Sequence, residues 1–147
     1  MQNPPTPDLS LLARQWGATA VPFSQLSWLA TPHSQQAIAM LDQAAALRSV
    51  VLLDGPNGVG KSALVGRWVQ QLEPRLYRPL VLTHASLSAS GVLSAITAQL
   101  GKPSSGIRAQ NLARIEAALG ELGPIVPVIV WDEAQQYSTS SLDEVRL

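Results

Sequence analysis

Gly55-Pro56-Asn57-Gly58-Val59-Gly60-Lys61-Ser62 decides how the rest of this chain is read. It has the form G-x-x-x-x-G-K-[ST]. An apolar run of strand length, Ser49-Val50-Val51-Leu52-Leu53-Asp54, leads into it. Ala63-Leu64-Val65-Gly66-Arg67-Trp68-Val69-Gln70-Gln71-Leu72 leads out, with Leu64, Trp68 and Leu72 on one helical face. Strand, glycine loop and helix form the setting in which this pattern holds phosphate. The bland alternative is a glycine-rich turn between a strand and a helix, and the two correct flanks argue against it.

The chemistry accounts for the spacing. Gly55, Gly58 and Gly60 let the backbone approach an anion closely and take dihedrals that other residues resist. Pro56, Asn57 and Val59 complete a loop whose N–H groups, with the N-terminus of the next helix, point at phosphates. Lys61 is expected to reach the β- and γ-phosphates, and the Ser62 hydroxyl to ligate Mg²⁺. This makes residues 55–62 a nucleotide-binding loop of the Walker A type.

Composition narrows the class. A chain of 147 residues suits one domain with a sizeable core. Its 46% hydrophobic and 14% charged content is that of a globular protein, not a disordered one. Ten basic and ten acidic side chains cancel, so there is no global electrostatic case for nucleic-acid binding. Arg67, Arg75 and Arg78 are the one tight basic group and read as a solvated helix end and loop. The lack of cysteine excludes disulfides and cysteine–zinc sites and fits a reducing cytoplasm, the expected location. His33 and His84 lack ligand-like spacing. No apolar run approaches membrane-span length, and no signal peptide is evident.

Along the chain, residues 1–20 read as a loose N-terminal segment with a short helix over 9–16, and residues 21–147 as the main domain. Thr31-Pro32 predicts a helix start, with Thr31 as N-cap, running to about Arg48 and burying Ile38, Leu41 and Ala45. Residues 79–84 predict a second strand. Ser88 or Ser90 is expected to cap a helix through Leu100, stopped by Gly101. A helix over 108–122, with Leu112, Ile115, Leu119 and Leu122 inward, closes at Gly123-Pro124. Pro127-Val128-Ile129-Val130-Trp131 predicts a third strand, and residues 138–141 a polar loop capping a last helix. Alternating strands and helices argue an α/β domain with a parallel sheet.

The third strand runs straight into Asp132-Glu133. In a parallel α/β sheet, ligands sit beyond the carboxyl ends of the strands. Asp132 is therefore expected beside the phosphate loop, holding Mg²⁺ directly or through water. Glu133 is expected to orient and deprotonate the attacking water, with Lys61 offsetting phosphate charge during in-line attack. The competing reading makes Asp132 and Glu133 the caps of a turn. Trp131 is expected to pack and not to contact nucleotide.

With both motifs placed, the chain resembles the AAA+ P-loop ATPases. Within them it is similar to the group that looks like secretion-pathway protein A (ExeA-like), which includes ATPases encoded beside transposases. Three stretches carry the likeness. They are Val21-Pro22-Phe23 with Thr31-Pro32; Tyr77-Arg78-Pro79-Leu80-Val81-Leu82 with Ser86-Leu87-Ser88; and Asp132-Glu133-Ala134-Gln135 with Leu142-Asp143-Glu144-Val145-Arg146-Leu147. The resemblance implies a three-layer P-loop NTPase sandwich, ATP and Mg²⁺ as ligands, and ATP hydrolysis by Lys61, Ser62, Asp132 and Glu133. It places residues 21–23 near the adenine and implies ring or filament homo-oligomers for full-length members. DNA and a transposase are the partners it favours, with a secretion role as the alternative.

The same resemblance implies later strands, a sensor residue, an arginine finger and a helical lid that this chain does not contain. The expectation is thus the N-terminal part of an AAA+ domain, a truncated product or gene fragment. One missing strand would lie between the phosphate-loop strand and the Asp-Glu strand, so that the others cannot all pair. A fragment that binds nucleotide without hydrolysis is the second reading. A small-molecule kinase is the third, and no arginine-rich lid supports it. No Asn-Lys-x-Asp motif is present to indicate a GTPase.

Overall fold

A computed structural model of the chain describes residues 28, 30–83 and 87–144. Among them the elements run α1 (Pro32–Ala46), α2 (Lys61–Gln71), β1 (Tyr77–Leu82), α3 (Ala89–Gln99), α4 (Arg108–Leu122), β2 (Val126–Trp131), a 3₁₀ turn (Ala134–Gln136) and α5 (Thr139–Asp143). These belong to one compact unit, His33–Leu147; of the other, Met1–Pro32, only residues 28 and 30–32 are described. The expected helix over 9–16 and the adenine-side residues 21–23 lie outside the described residues.

β1 and β2 pair in parallel, Tyr77 opposite Val126 and Leu82 opposite Trp131. Parallel strands need a crossover, and α3 with α4 provides it. Leu80 and Leu82, two residues apart, share one face of β1 and meet Val92, Leu93 and Ile96 of α3, Ile115 of α4 and Tyr137. This cluster is the core. The class is the expected one: helices alternating with a parallel sheet.

Helix ends follow local chemistry. Ser88 caps α3 by accepting from the Gly91 N–H, and Ser138 caps α5 by accepting from the Ser141 N–H. α4 stops at Gly123, whose φ of 60° other residues resist. α1 buries Leu41, Ala44 and Ala45, with the expected Ile38 only half-buried. α4 buries Asn111, Ile115 and Ala118, while Leu112 and Leu119 pack at the core margin. The expected second strand sits two residues earlier, starting at Tyr77.

Asn111 is wholly buried, and its carboxamide is fully engaged. Its Oδ1 accepts from the Ser105 N–H at 2.9 Å. Its Nδ2 donates to the Ser105 carbonyl at 2.7 Å and to Ser94 Oγ at 3.1 Å. The side chain therefore ties the α3–α4 connection to both helices. Asn111→Ala is expected to cost about 2–3 kcal/mol, because it strands buried partners of the amide. Urea unfolding measures it, and a cost below about 0.5 kcal/mol, the range of ordinary surface changes, would show that the amide is not needed.

One expectation needs correction. Residues 49–54 are not a strand: among the described residues they lie in no ladder, and Val50 and Leu52 are 101% and 81% exposed. A strand is defined by its neighbour, and none is present among the described residues. The Val126 and Asp132 N–H groups bond to the Leu76 and Leu82 carbonyls on the β1 side, so those of Ile129 and Trp131 point the other way, toward an edge of β2 that has no partner strand among the described residues. The expected pairing gap is thus a feature of the fold.

The opposite edge of the sheet is capped at Val81. Gln99 Oε1 accepts from the Val81 N–H and Gln99 Nε2 donates to the Val81 carbonyl, both at 2.8 Å. The side-chain amide takes the place of a neighbouring strand's peptide group. Pro79, with no N–H to offer, lies on this same edge two residues earlier.

Candidate functional site

The loop over 55–60 ends in two glycines of positive φ, Gly58 at 82° and Gly60 at 91°. A Cβ added at either would meet nothing within 4 Å, so the backbone conformation and not crowding calls for glycine. Gly60 is also the N-cap of α2, and no side chain caps that end. The first N–H groups of α2 therefore remain available, with the positive end of the helix dipole behind them. They open onto a hollow of about 320 Å³ lined by Asn57, Gly58, Gly60, Lys61, Ser62, Ala63 and Glu133.

Lys61 folds back over the loop, its Nζ donating to the carbonyls of Gly55 at 2.7 Å and Pro56 at 3.0 Å. A lysine held this way carries its charge at the loop, with no carboxylate partner among the described residues. Leu64, Trp68 and Leu72 are buried as expected, and Trp68 Nε1 donates to Asp42 Oδ1 at 2.7 Å. That bond ties α2 to α1 and fixes the helix that presents the loop.

The second half of the expected site meets the first. Ser62 Oγ donates to Asp132 Oδ1 at 3.0 Å across 70 residues of sequence. The Glu133 N–H also bonds Asp132 Oδ1, at 3.1 Å. Glu133 itself has φ 53° and ψ 43°, a left-handed conformation that costs a non-glycine residue roughly 1–2 kcal/mol. This turns the chain directly after β2 and sets Glu133 on the wall of the hollow. Strained non-glycine residues of this kind gather at functional sites. The structure thus brings Lys61, Ser62, Asp132 and Glu133 to one place beyond the carboxyl end of β2.

The donor set suits a small hard cation. Mg²⁺ takes one or two protein oxygens and completes its shell with water and phosphate. Ser62 Oγ and Asp132 Oδ1 offer that pair. No group of three or more His, Asp or Glu ligands exists among the described residues, so no protein cage competes.

Behind the carboxylates, Trp131 meets Tyr137 edge to face with ring centroids 4.6 Å apart, so Trp131 packs as expected. Burial, and after it the nearby Asp132 charge, raises the Tyr137 phenol above its ordinary 10.0. The neutral phenol's contribution is complete below pH 10.0 and is lost as the pH rises further, because the unfolded chain ionises first. Tyr137→Phe is therefore expected to flatten the alkaline limb of a stability-against-pH curve. An unchanged limb would show that the ring is not sealed from water.

A second hollow, of about 300 Å³, is lined by Pro74, Arg78, Leu100, Glu121 and Ile125 among others. Its charged groups are already engaged, Arg78 with the Gln99 carbonyl and Glu121 with Lys102. It holds no comparable constellation. Sequence reasoning missed Gln135 and Gln136, whose side-chain amides both donate to Glu133 Oε2; two glutamines one residue beyond an acidic pair were the available signal.

Parallel strands, crossover helices and a glycine loop opening a helix define a partial P-loop NTPase domain. A family model described as AAA domain matches residues 44–147, and the chain belongs to that family of P-loop ATPases. No curated protein and no solved structure matches it.

Proposed function

We propose that this protein binds ATP with Mg²⁺ at residues 55–62 and hydrolyses it. The observation that carries the reading is the contact of Ser62 with Asp132, at a hollow lined by Lys61, Ser62 and Glu133. The loop N–H groups and Lys61 Nζ hold the phosphates, Lys61 giving up the carbonyls of Gly55 and Pro56 to do so. Ser62 and Asp132 would hold Mg²⁺, which when bound neutralises phosphate charge. Glu133 takes a proton from a water whose oxygen bonds the γ-phosphorus as the bridge to the β-phosphate breaks, giving ADP and inorganic phosphate.

Radiolabelled ATP with and without Mg²⁺ tests this. Magnesium-dependent phosphate release supports it, and failure to bind ATP at all overturns it. A second reading, binding without turnover, is favoured by the unladdered residues 50–53, which leave the loop less firmly anchored. Binding with no phosphate release would select it.

The biological setting we infer is control of DNA transposition, with DNA and a transposase as partners and a homo-oligomer as the working form. The support is the likeness of residues 21–23 with 31–32, 77–82 with 86–88, and 132–135 with 142–147 to the ExeA-like group, which includes ATPases encoded beside transposases; a secretion role is the alternative. ATP-dependent retention of DNA by the protein would favour transposition. Among the described residues no helix is long and apolar enough to cross a membrane.

A further inference from the structure

Glu133 has to do more than sit near the phosphates: one of its oxygens must be presented to a water. An exposed glutamate rotates about three side-chain bonds, and each rotamer points the carboxylate elsewhere. Something has to select one. The residues that follow it are built to do so. The left-handed Glu133 reverses the chain, and the Gln136 N–H closes the 3₁₀ turn on the Glu133 carbonyl at 2.9 Å. That brings two side-chain amides back onto the carboxylate. Gln135 Nε2 donates to Glu133 Oε2 at 2.5 Å, and Gln136 Nε2 donates to the same oxygen at 3.4 Å. Glu133 Oε1 accepts no hydrogen bond among the described residues, while the residue lines the hollow with Lys61 and Ser62.

We propose that Gln135, backed by Gln136, is a positioning residue for Glu133. It ties down one carboxylate oxygen and leaves the other for water. The amide is suited to this because it donates without adding a cation. Gln135 is long enough to reach back across one intervening residue, and its bond is the shorter of the two. The proposal rests on the hydrolytic reading above, and its test is arranged so that the two fail separately.

The contact itself is read first, in the nucleotide-free protein. The Gln135 side-chain amide proton is expected to resonate downfield of a free glutamine in the wild type and to return to the free position in Glu133→Ala. A Gln135 signal at the free position in the wild type overturns the proposal. Activity is read next, in Gln135→Met with Gln136→Met. The turnover number is expected to fall about tenfold, at the lower end of what losing an orienting partner costs. KM for ATP and the affinity for a fluorescent ATP analogue should stay within twofold. The thermal midpoint should not move, since both glutamines are exposed. Glu133→Gln runs alongside. If it turns over at the wild-type rate, the role given to Glu133 falls, and the positioning role with it. If Glu133→Gln is inactive but the double variant matches wild type, only the positioning role falls. A double variant that turns over faster than wild type also overturns it, because the amides would then restrain the carboxylate.

Discussion

Glu133→Gln is expected to lower ATP turnover by about 10²- to 10⁴-fold, the usual contribution of a positioned general base. Glutamine keeps the length and shape of the side chain and faces the same backbone demand at φ 53°. What it loses is the ability to accept a proton. Binding should therefore survive, because the phosphates are held by the loop N–H groups and Lys61, not by this carboxylate. Single-turnover measurements with radiolabelled ATP, beside a titration with a fluorescent analogue, separate the two quantities. Reduced turnover with unchanged affinity places the loss in the transition state. If turnover and affinity fell together, Glu133 would be holding the loop in shape, and its assignment as base would be wrong.

Lys61→Ala is expected to act on the other quantity. A hydrogen bond to a charged group contributes about 1.5–3 kcal/mol, so losing the ammonium should weaken ATP binding roughly 10- to 100-fold. Folding should be nearly unaffected. The carbonyls that Lys61 now engages belong to residues 55 and 56 of the loop, and the bond to Pro56 is exposed, so water replaces the lysine there. An unchanged thermal midpoint with weakened binding is the expected pair of results. Unchanged binding would remove the phosphate-loop assignment altogether, and Ser62, Asp132 and Glu133 would lose their common reason for meeting.

Much of this was legible in the sequence because the chemistry is local. Ser88, one of the two caps expected for α3, does cap it; Ser138, first residue of the expected capping loop over 138–141, caps α5, which takes in the rest of that loop, and Gly123 stops α4 where a positive φ is needed. The meeting of Ser62 with Asp132 was also legible, since the carboxyl end of a parallel strand faces the loop at the head of a neighbouring helix. Residues 49–54 were misread for the opposite reason. Their apolar run satisfies every local condition for a strand, but ladder bonds are a relation between segments, and none is formed. Asn111 breaks the apolar stripe of α4 and looks solvent-facing, while its partners Ser94 and Ser105 lie in a different helix and a loop. Gln99 and Gln136 carry no motif, and Gln135 entered the family likeness without a role. An amide that copies a peptide group or steadies a carboxylate is recognisable only once its partner is in place.

The Gln99 amide has an effect on assembly. A sheet with two bare edges can join copies without end, each new molecule offering a fresh edge to the next. Gln99 spends one of the two inside the molecule, on Val81. Among the described residues, what is left is the edge of β2. Two copies meeting through β2 would consume both available edges and stop at a pair, so the bare edge of this sheet does not on its own propagate a fibre.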